Sequence, residues 1–356
     1  MYPRIVINTE KYRHNLKVIK NLASRHGLSM MAVTKVFCAV KPLTDVLKEE
    51  RVDFIADSRL KNLEKVSTTI PKVLLRLSSV HDVDRVVNVA DISLNSELET
   101  IKALNRAASR YGLKHGVIIM VDLGDLREGV FYKKEILRMV EAIIHMENIT
   151  LRGIGTNLTC FGGIIPTPQT LKKLVDVVDE VEKTYDLELE IVSGGNSSHL
   201  HLLDKDIHIE KVNNLRIGEA IVLGRETAFG EVIETLYDDV FTLETDIIEY
   251  KRKPSVPEGD IGMNAFGKKP VFEDLGVVNR AILGVGQQDV DFHELKPMDR
   301  NISLIGSSSD HIIAGVWNSP AQYKVGDVLR FKLTYGSLLS LMTSEYVEKF
   351  YVQKTI

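Results

Sequence analysis

The stretch Met30-Met31-Ala32-Val33-Thr34-Lys35-Val36-Phe37-Cys38-Ala39-Val40 sets one lysine inside an apolar, β-branched run, the pattern of a buried strand. A lysine inside or at the mouth of such a strand loses hydration, which lowers its pKa and frees the amine lone pair to attack a carbonyl carbon. That is Schiff-base chemistry. The competing reading is a lysine that caps the strand end and extends its ammonium to water. Downstream, Val121-Asp122-Leu123-Gly124-Asp125-Leu126-Arg127-Glu128-Gly129 combines glycines for a sharp turn with Arg127, a clamp for an anion or a phenolate, or else an ordinary solvated surface arginine. Ile191-Val192-Ser193-Gly194-Gly195-Asn196-Ser197-Ser198-His199 places hydroxyls and backbone N–H groups at a helix start, which suits a phosphate. Leu215-Arg216-Ile217-Gly218-Glu219 ends one more apolar run with a charged pair.

These clusters need elements that bring them together. Apolar runs at 30–36, 52–57, 72–77, 91–94, 117–122, 151–157, 190–193 and 214–217 alternate with helix-period stretches at 42–50, 58–68, 80–89, 96–111, 133–146, 168–185 and 198–203, after a leading helix at 9–25. Eight parallel strands with intervening helices predict a TIM-like (β/α)8 barrel, an α/β fold whose chemistry gathers at the C-terminal strand ends and whose phosphate sites recur after strands seven and eight. From about residue 236 the texture changes to short β-rich runs at 241–250, 280–285, 302–304, 311–316 and 328–334, separated by Gly, Pro and Asp. The expected division is a barrel domain at 1–234 and a C-terminal β-rich domain at 235–356.

Composition narrows the partner. The 356 residues carry a formal charge of −4, with no basic run or basic–aromatic interleaving, so no nucleic-acid surface is expected and a small molecule is. Cys38 and Cys160 are the two cysteines, expected as packed thiols without a disulfide framework, which suits a cytoplasmic protein. The N-terminus shows no long apolar core and no run reaches membrane-spanning length, so neither export nor a membrane partner is expected. His199, His201 and His208 lack a carboxylate or cysteine that would complete a metal set, and are expected as capping or solvated histidines.

In their order and spacing, Lys35, Arg127 after Asp122-Leu123-Gly124, Asn196-Ser197 and Arg216-Ile217-Gly218 resemble the fold-type III pyridoxal-phosphate enzymes of the alanine racemase type. Within that group the chain is most similar to the ornithine/lysine racemase branch, through Asp122 to Gly129, Ala265-Phe266-Gly267-Lys268-Lys269-Pro270-Val271-Phe272-Glu273-Asp274 and Ser307-Ser308-Ser309-Asp310-His311. The resemblance implies that Lys35 binds pyridoxal 5′-phosphate covalently and acts as base on one face of the substrate Cα. It implies that Arg127 contacts the ring's phenolic oxygen or the substrate carboxylate. Asn196 and Ser197, the amides of Gly218 and Glu219, and Tyr346 would hold the phosphate. Arg216 would face the pyridine nitrogen, where its permanent charge disfavours ring protonation and limits side reactions. Related decarboxylases set a carboxylate there in an E-P-G-R-like segment; here the charges are interchanged. The expected activity is racemisation of a free amino acid, ornithine or lysine, by a homodimer in which each β domain completes its partner's site. The alternatives are an alanine/serine or broad-specificity racemase and a non-catalytic carrier of the cofactor, against which about 120 residues of β domain argue.

Departures from the alanine racemase pattern shape the remaining expectations. Ala39 stands where a phosphate-binding tyrosine is usual, and Met120 stands where a carbamylated lysine orients the arginine, so Arg127 must be steered otherwise. Gln287, in Gly286-Gln287-Gln288-Asp289, takes the place of the second catalytic base and cannot accept a proton. His311 is the expected substitute, with Asp310 orienting it or serving itself if desolvation raises its pKa. A diamine side chain calls for an acidic pocket end, for which Asp289, Asp291 and Glu273 are candidates.

Overall fold

A computed structural model describes residues 1–264, 266–317 and 322–353; Ala265 of the motif quoted above lies outside them. In chain order, β1 (Arg4–Asn8) and α1 (Thr9–Arg25) precede β2 (Ser29–Val33), α2 (Lys41–Glu49), β3 (Phe54–Asp57), α3 (Leu60–Lys65), β4 (Lys72–Leu74), α4 (Val83–Val89), β5 (Ile92–Asn95), α5 (Leu98–Tyr111) and β6 (His115–Val121). Then follow α6 (Lys133–Ile144), β7 (Ile149–Thr156), α7 (Pro168–Tyr185), β8 (Ile191–Ser193), α8 (Leu200–Leu203), β9 (Asn214–Ile217) and α9 (Glu219–Leu223). Strands β2 to β9 form a closed parallel barrel, sealed where Met31 pairs with Arg216 and Ala32 with Ile217.

The apolar runs form these strands because a parallel strand under a helix is buried on both faces. All seven residues of β6 are buried. Met31, Ala56, Val73, Ile92, Leu94, Ile118, Met120 and Ile191 pack together as the core inside the barrel strands. The helices turn one apolar stripe inward, as with Leu171, Leu174, Val178 and Val181 of α7, which begins at a Thr167 cap. The first strand ends earlier than the 30–36 run suggested. It stops at Val33, and Lys35 opens a 3-10 turn, Lys35–Phe37, beyond the strand's C-terminal end.

The remaining elements are β10 (Phe241–Pro254), β11 (Val277–Leu283), β12 (Leu295–Pro297), β13 (Ile302–Ser307), β14 (Ile312–Val316), β15 (Val328–Leu333), α10 (Tyr335–Thr343) and β16 (Glu348–Val352). They build a mostly antiparallel sheet in the order β12-β15-β10-β11-β14-β13, with β1 paired to both β10 and β16. The chain thus divides into residues 11–238 and a second unit of 1–10 with 239–356. This differs from the expected 1–234 and 235–356 division, because β1 belongs with the C-terminal strands. Ile5 and Ile7 are fully buried on it, and Arg4 bonds to Glu244 Oε2 at 2.8 Å. No helix among the described residues is long and apolar enough to cross a membrane.

Since β1 donates buried side chains to the C-terminal unit, Ile7→Ala should destabilise that unit by about 2–5 kcal/mol. Trp317, the single tryptophan, lies in that unit, so urea unfolding followed by its fluorescence checks this. An unchanged midpoint would contradict the assignment of β1.

Candidate active site

The barrel gathers the predicted residues at its C-terminal rim. Lys35 follows Thr34, which is fully buried and donates from Oγ1 to Asp57 Oδ2 at 2.6 Å at the end of the neighbouring β3. Asp57 also accepts from Arg59 N at 2.8 Å and from Asn62 Nδ2 at 3.1 and 3.2 Å. Burial holds the Asp57 carboxyl above the usual carboxylate range, against those hydrogen bonds and the nearby Lys35 charge. After Lys35 the backbone passes through two consecutive left-handed residues, Cys38 (φ 55°) and Ala39 (φ 49°). Such strain persists only where the surroundings impose it. Here Ala39 N bonds back to Thr34 O and Lys65 Nζ donates to Cys38 O at 3.0 Å.

Arg127 sits on the loop after β6. Gly129 (φ +125°) closes that loop, and a Cβ there would lie 2.5 Å from Asp122 N, so only glycine fits. The Arg127 guanidinium meets both oxygens of Glu128. Burial alone would depress this guanidinium, but the Glu128 carboxylate, together with Cys160 and Asp125 nearby, outweighs it and Arg127 sits above its ordinary value. Met120, which stands where a carbamylated lysine is usual, is buried in β6.

The loops after β8 and β9 meet as well. Ser197, buried, accepts from Ala220 N at 3.3 Å, so its hydroxyl lies against the first turn of α9, beside Gly218 and Glu219. Burial raises the Glu219 carboxyl, while Arg225 and Lys35 pull it back down. Asn196 caps the Ser197–His199 turn through Ser198 N and sends its Nδ2 to Leu158 O at 2.8 Å, Asn157 Oδ1 at 3.2 Å and Cys160 Sγ at 3.4 Å. Arg216, 5% exposed, donates to Ser193 Oγ at 2.6 Å, Thr156 O at 2.6 Å and Asn157 Oδ1 at 3.4 Å. Burial lowers its pKa to about 10, which still leaves it charged at neutral pH. Among the described residues, Asn157 Nδ2 and Ser198 Oγ are buried without a partner.

Other expected residues lie in the second unit. Gln287 N bonds to Ser308 O and Gln288 N to Ser309 O, both at 2.9 Å, and Ser307 Oγ donates to Gln287 Oε1 at 3.0 Å. The turn carrying Asp310 and His311 therefore packs on Gln287, closely enough that a Cβ on Gly286 would come within 2.4 Å of Asp310 backbone. His311 Nδ1 is 3.4 Å from Asp310 Oδ1. The condition under which Asp310 would itself serve, a pKa raised by desolvation, is not met. Its carboxylate is exposed, and the Ser309 hydroxyl and the charge of His311 hold it below the usual range. Tyr346 is exposed, and its backbone N–H bonds to Ser344 Oγ at 3.1 Å. Of the acidic candidates, Asp289 is buried and accepts from Ser344 Oγ at 2.6 Å, Asp291 pairs with His293, and Glu273 is exposed. Asp289, Asp291 and Gln287 share a cavity of about 410 Å³ with Ser340 and Ser344.

Three sequence expectations need correction or extension. Cys160 is exposed rather than packed, on a loop turned by a left-handed Thr159 (φ 66°). His199 and His201 are buried, bonded through Nδ1 to the carbonyls of Gly194 and Ser198. The Thr34–Asp57–Asn62 anchor and the contacts of Glu128 and Asn157 were not among the sequence expectations.

The family model for the alanine racemase N-terminal domain matches residues 7–226. The chain is 49% identical over 350 residues to the ornithine racemase of Acetoanaerobium sticklandii, covering 98% of this chain and 99% of that protein. It is 38% identical over 354 residues to the lysine racemase of Thermotoga maritima, covering 99% of each. Among solved structures, an alanine racemase from Clostridium difficile 630 shares the fold with a TM-score of 0.74 at 19% identity, over 99% of this chain and 96% of that one. The chain belongs to the alanine racemase family. The two curated relatives above, matched over the full length, are named as racemases of diamino acids.

Two histidines make the fold pH-sensitive. Burial depresses His199 and His115 to about 4 each. A buried neutral histidine contributes its full stability above the unfolded pKa of about 6.5 and loses it as pH falls towards about 4. Asp57 and Glu219, raised by burial, act in the opposite sense, so the variant difference is the informative quantity. The stability gap between wild type and His199→Gln should shrink by up to about 1.4 kcal/mol per pH unit between 6.5 and 4. Thermal unfolding across that range checks it, and a constant gap would contradict it.

Proposed function

We propose that this enzyme is a pyridoxal-phosphate-dependent racemase that inverts the α-carbon of ornithine or lysine. The observation that carries the reading is the convergence, on one barrel rim, of an amine, an anion-binding hydroxyl at a helix start and a buried guanidinium with only neutral partners, in a chain related end to end to diamino-acid racemases. The residues fit the cofactor. Arg216 is a buried cation lacking a carboxylate partner among the described residues, and the unsatisfied Asn157 Nδ2 and Ser198 Oγ offer donors close by.

When bound, pyridoxal phosphate supplies an electron sink that acidifies the substrate's α-proton. Lys35 would hold it through its amine and, once the substrate amine takes that place, receive or return the proton at Cα on one face. Ser197 and Asn196, with the amides of Gly218 and Glu219, would bind the phosphate, and Tyr346 would add its hydroxyl. Arg216 would face the pyridine nitrogen, where its charge would disfavour ring protonation. Arg127 would bind the phenolic oxygen or the substrate carboxylate.

The opposite face of Cα needs a second proton carrier. We assign it to His311, oriented by Asp310, and supplied by the β domain of a second subunit. The packing of the His311 turn on Gln287 supports this, since glutamine itself carries no transferable proton. Exposed Leu126, Phe131, Tyr132, Phe161 and Phe229 on the barrel-rim loops and the stretches beside them support a covering partner. The substrate's distal ammonium calls for an acidic site, and the cavity of Asp289 and Asp291 is the candidate. Cys38 and Cys160, neither of them in a disulfide, suit a reducing cytoplasm.

Borohydride reduction of the cofactor-loaded protein should fix the cofactor on the peptide that contains Lys35, with no adduct in Lys35→Ala; a full-strength adduct in that variant would remove Lys35 from the role. His311→Asn should cripple proton abstraction from one enantiomer while α-deuterium exchange of the other persists. Equal, near-normal rates in both directions would exclude His311.

A further inference from the structure

We infer that Glu128 is the positioning residue of Arg127: its carboxylate clamps the guanidinium across Nε and Nη2, and leaves Nη1 to meet an anionic oxygen at the barrel rim. The identity of that oxygen rests on the racemase reading, but the clamp does not.

The loop fixes the backbone of Arg127 but not its side chain. Asp122 Oδ1 accepts from Gly124 N at 2.8 Å and Leu126 N at 3.1 Å. Asp125, buried, fastens this loop to the one after β7 through Phe161 N at 3.0 Å and Ile164 N at 3.1 Å. Leu126 is held left-handed (φ 59°). The long arginine side chain still has several rotatable bonds, whose freedom must be removed before the guanidinium can present a fixed donor. Glu128 removes it. Its side chain is 17% exposed against 41% for Arg127, so the carboxylate is the inner partner and the guanidinium reaches past it to the rim. Both oxygens are engaged, Oε2 with Nε and Oε1 with Nη2, and two parallel bonds fix a plane where one bond would fix only a direction. Arg127 is the sole hydrogen-bond partner of Glu128 among the described residues; the charge of Arg216 is also within electrostatic reach but makes no hydrogen bond to it. Nη1 makes no hydrogen bond within the described residues and stays available.

Phenylglyoxal labelling of the cofactor-free protein, read at Arg127 by peptide mass spectrometry, tests the clamp without any need for turnover. Labelling of Arg127 should accelerate at least about tenfold in Glu128→Gln, because a paired guanidinium is shielded from the reagent; a rate equal to wild type would overturn the proposal. Turnover of ornithine by the loaded enzyme then tests the consequence. Glu128→Gln should lower kcat/KM by about ten- to a hundredfold and add less than about twofold in an Arg127→Ala background, since it acts through Arg127. Losses that multiply would show that Glu128 acts on its own and would overturn the proposal. If Glu128→Gln does not fold, Glu128→Asp is read in the same two assays, with labelling and turnover expected between wild type and Arg127→Ala. Failure of the racemase reading would show separately, as wild-type protein inert on ornithine with the labelling difference intact.

Discussion

A guanidinium buried at the end of β9 is the constraint around which the barrel rim is organised. Arg216 bonds to Thr156 O at the end of β7 and to Ser193 Oγ at the end of β8, so one charge ties three adjacent strands. Desolvation makes such a cation costly, and its partners are neutral oxygens rather than a carboxylate. The cost is visible in the downward shift of its pKa. A fold that needed only to seal these strand ends would do so with apolar side chains. The retention of a positive charge here points to a ligand whose chemistry it tunes.

The groups around it divide the work of holding and of reacting. Lys35 is placed by a turn that two left-handed residues strain and that Thr34, bonded to the buried Asp57, pins to β3. Asp57 and Glu219 both feel the Lys35 charge, while Arg216 stands on the neighbouring strand, where β9 closes on β2, and Arg127 on the loop after β6. Acidic and basic groups interleaved in this way suit a site that must bind anionic oxygens at fixed points and still move a proton at one lysine.

The barrel was legible from sequence because its strands are buried on both faces and separated by helices with a single apolar stripe, a pattern that survives without knowledge of pairing. All eight barrel runs became strands, and 9–25, 168–185 and 214–217 kept their bounds. The membership of β1 was not legible, because its partners in β10 and β16 lie more than two hundred residues away. Helix α10 was missed for a different reason: its hydrophobic residues surround it almost evenly, leaving little periodic signal. At the site, residue types at strand ends could be read, whereas partnerships could not. The Thr34–Asp57 bond and the contact of Ser197 with Ala220 join segments that only the closed barrel brings together. The Arg127–Glu128 pair is adjacent in sequence but depends on the loop turning back at Gly129. Cys160 is exposed on a loop where Thr159 is left-handed, a conformation that threonine's own preferences argue against.

The charge at Arg216 separates this reading from decarboxylation on the same fold, and product analysis tests that separation directly. Wild-type enzyme loaded with cofactor is incubated with L-ornithine in deuterium oxide, and the products are resolved by chiral chromatography and NMR. The account predicts both enantiomers carrying deuterium at Cα, with carbon dioxide and diamine at background. Release of carbon dioxide with formation of putrescine, or retention of the α-proton in recovered L-ornithine and in L-lysine assayed alongside, would contradict it.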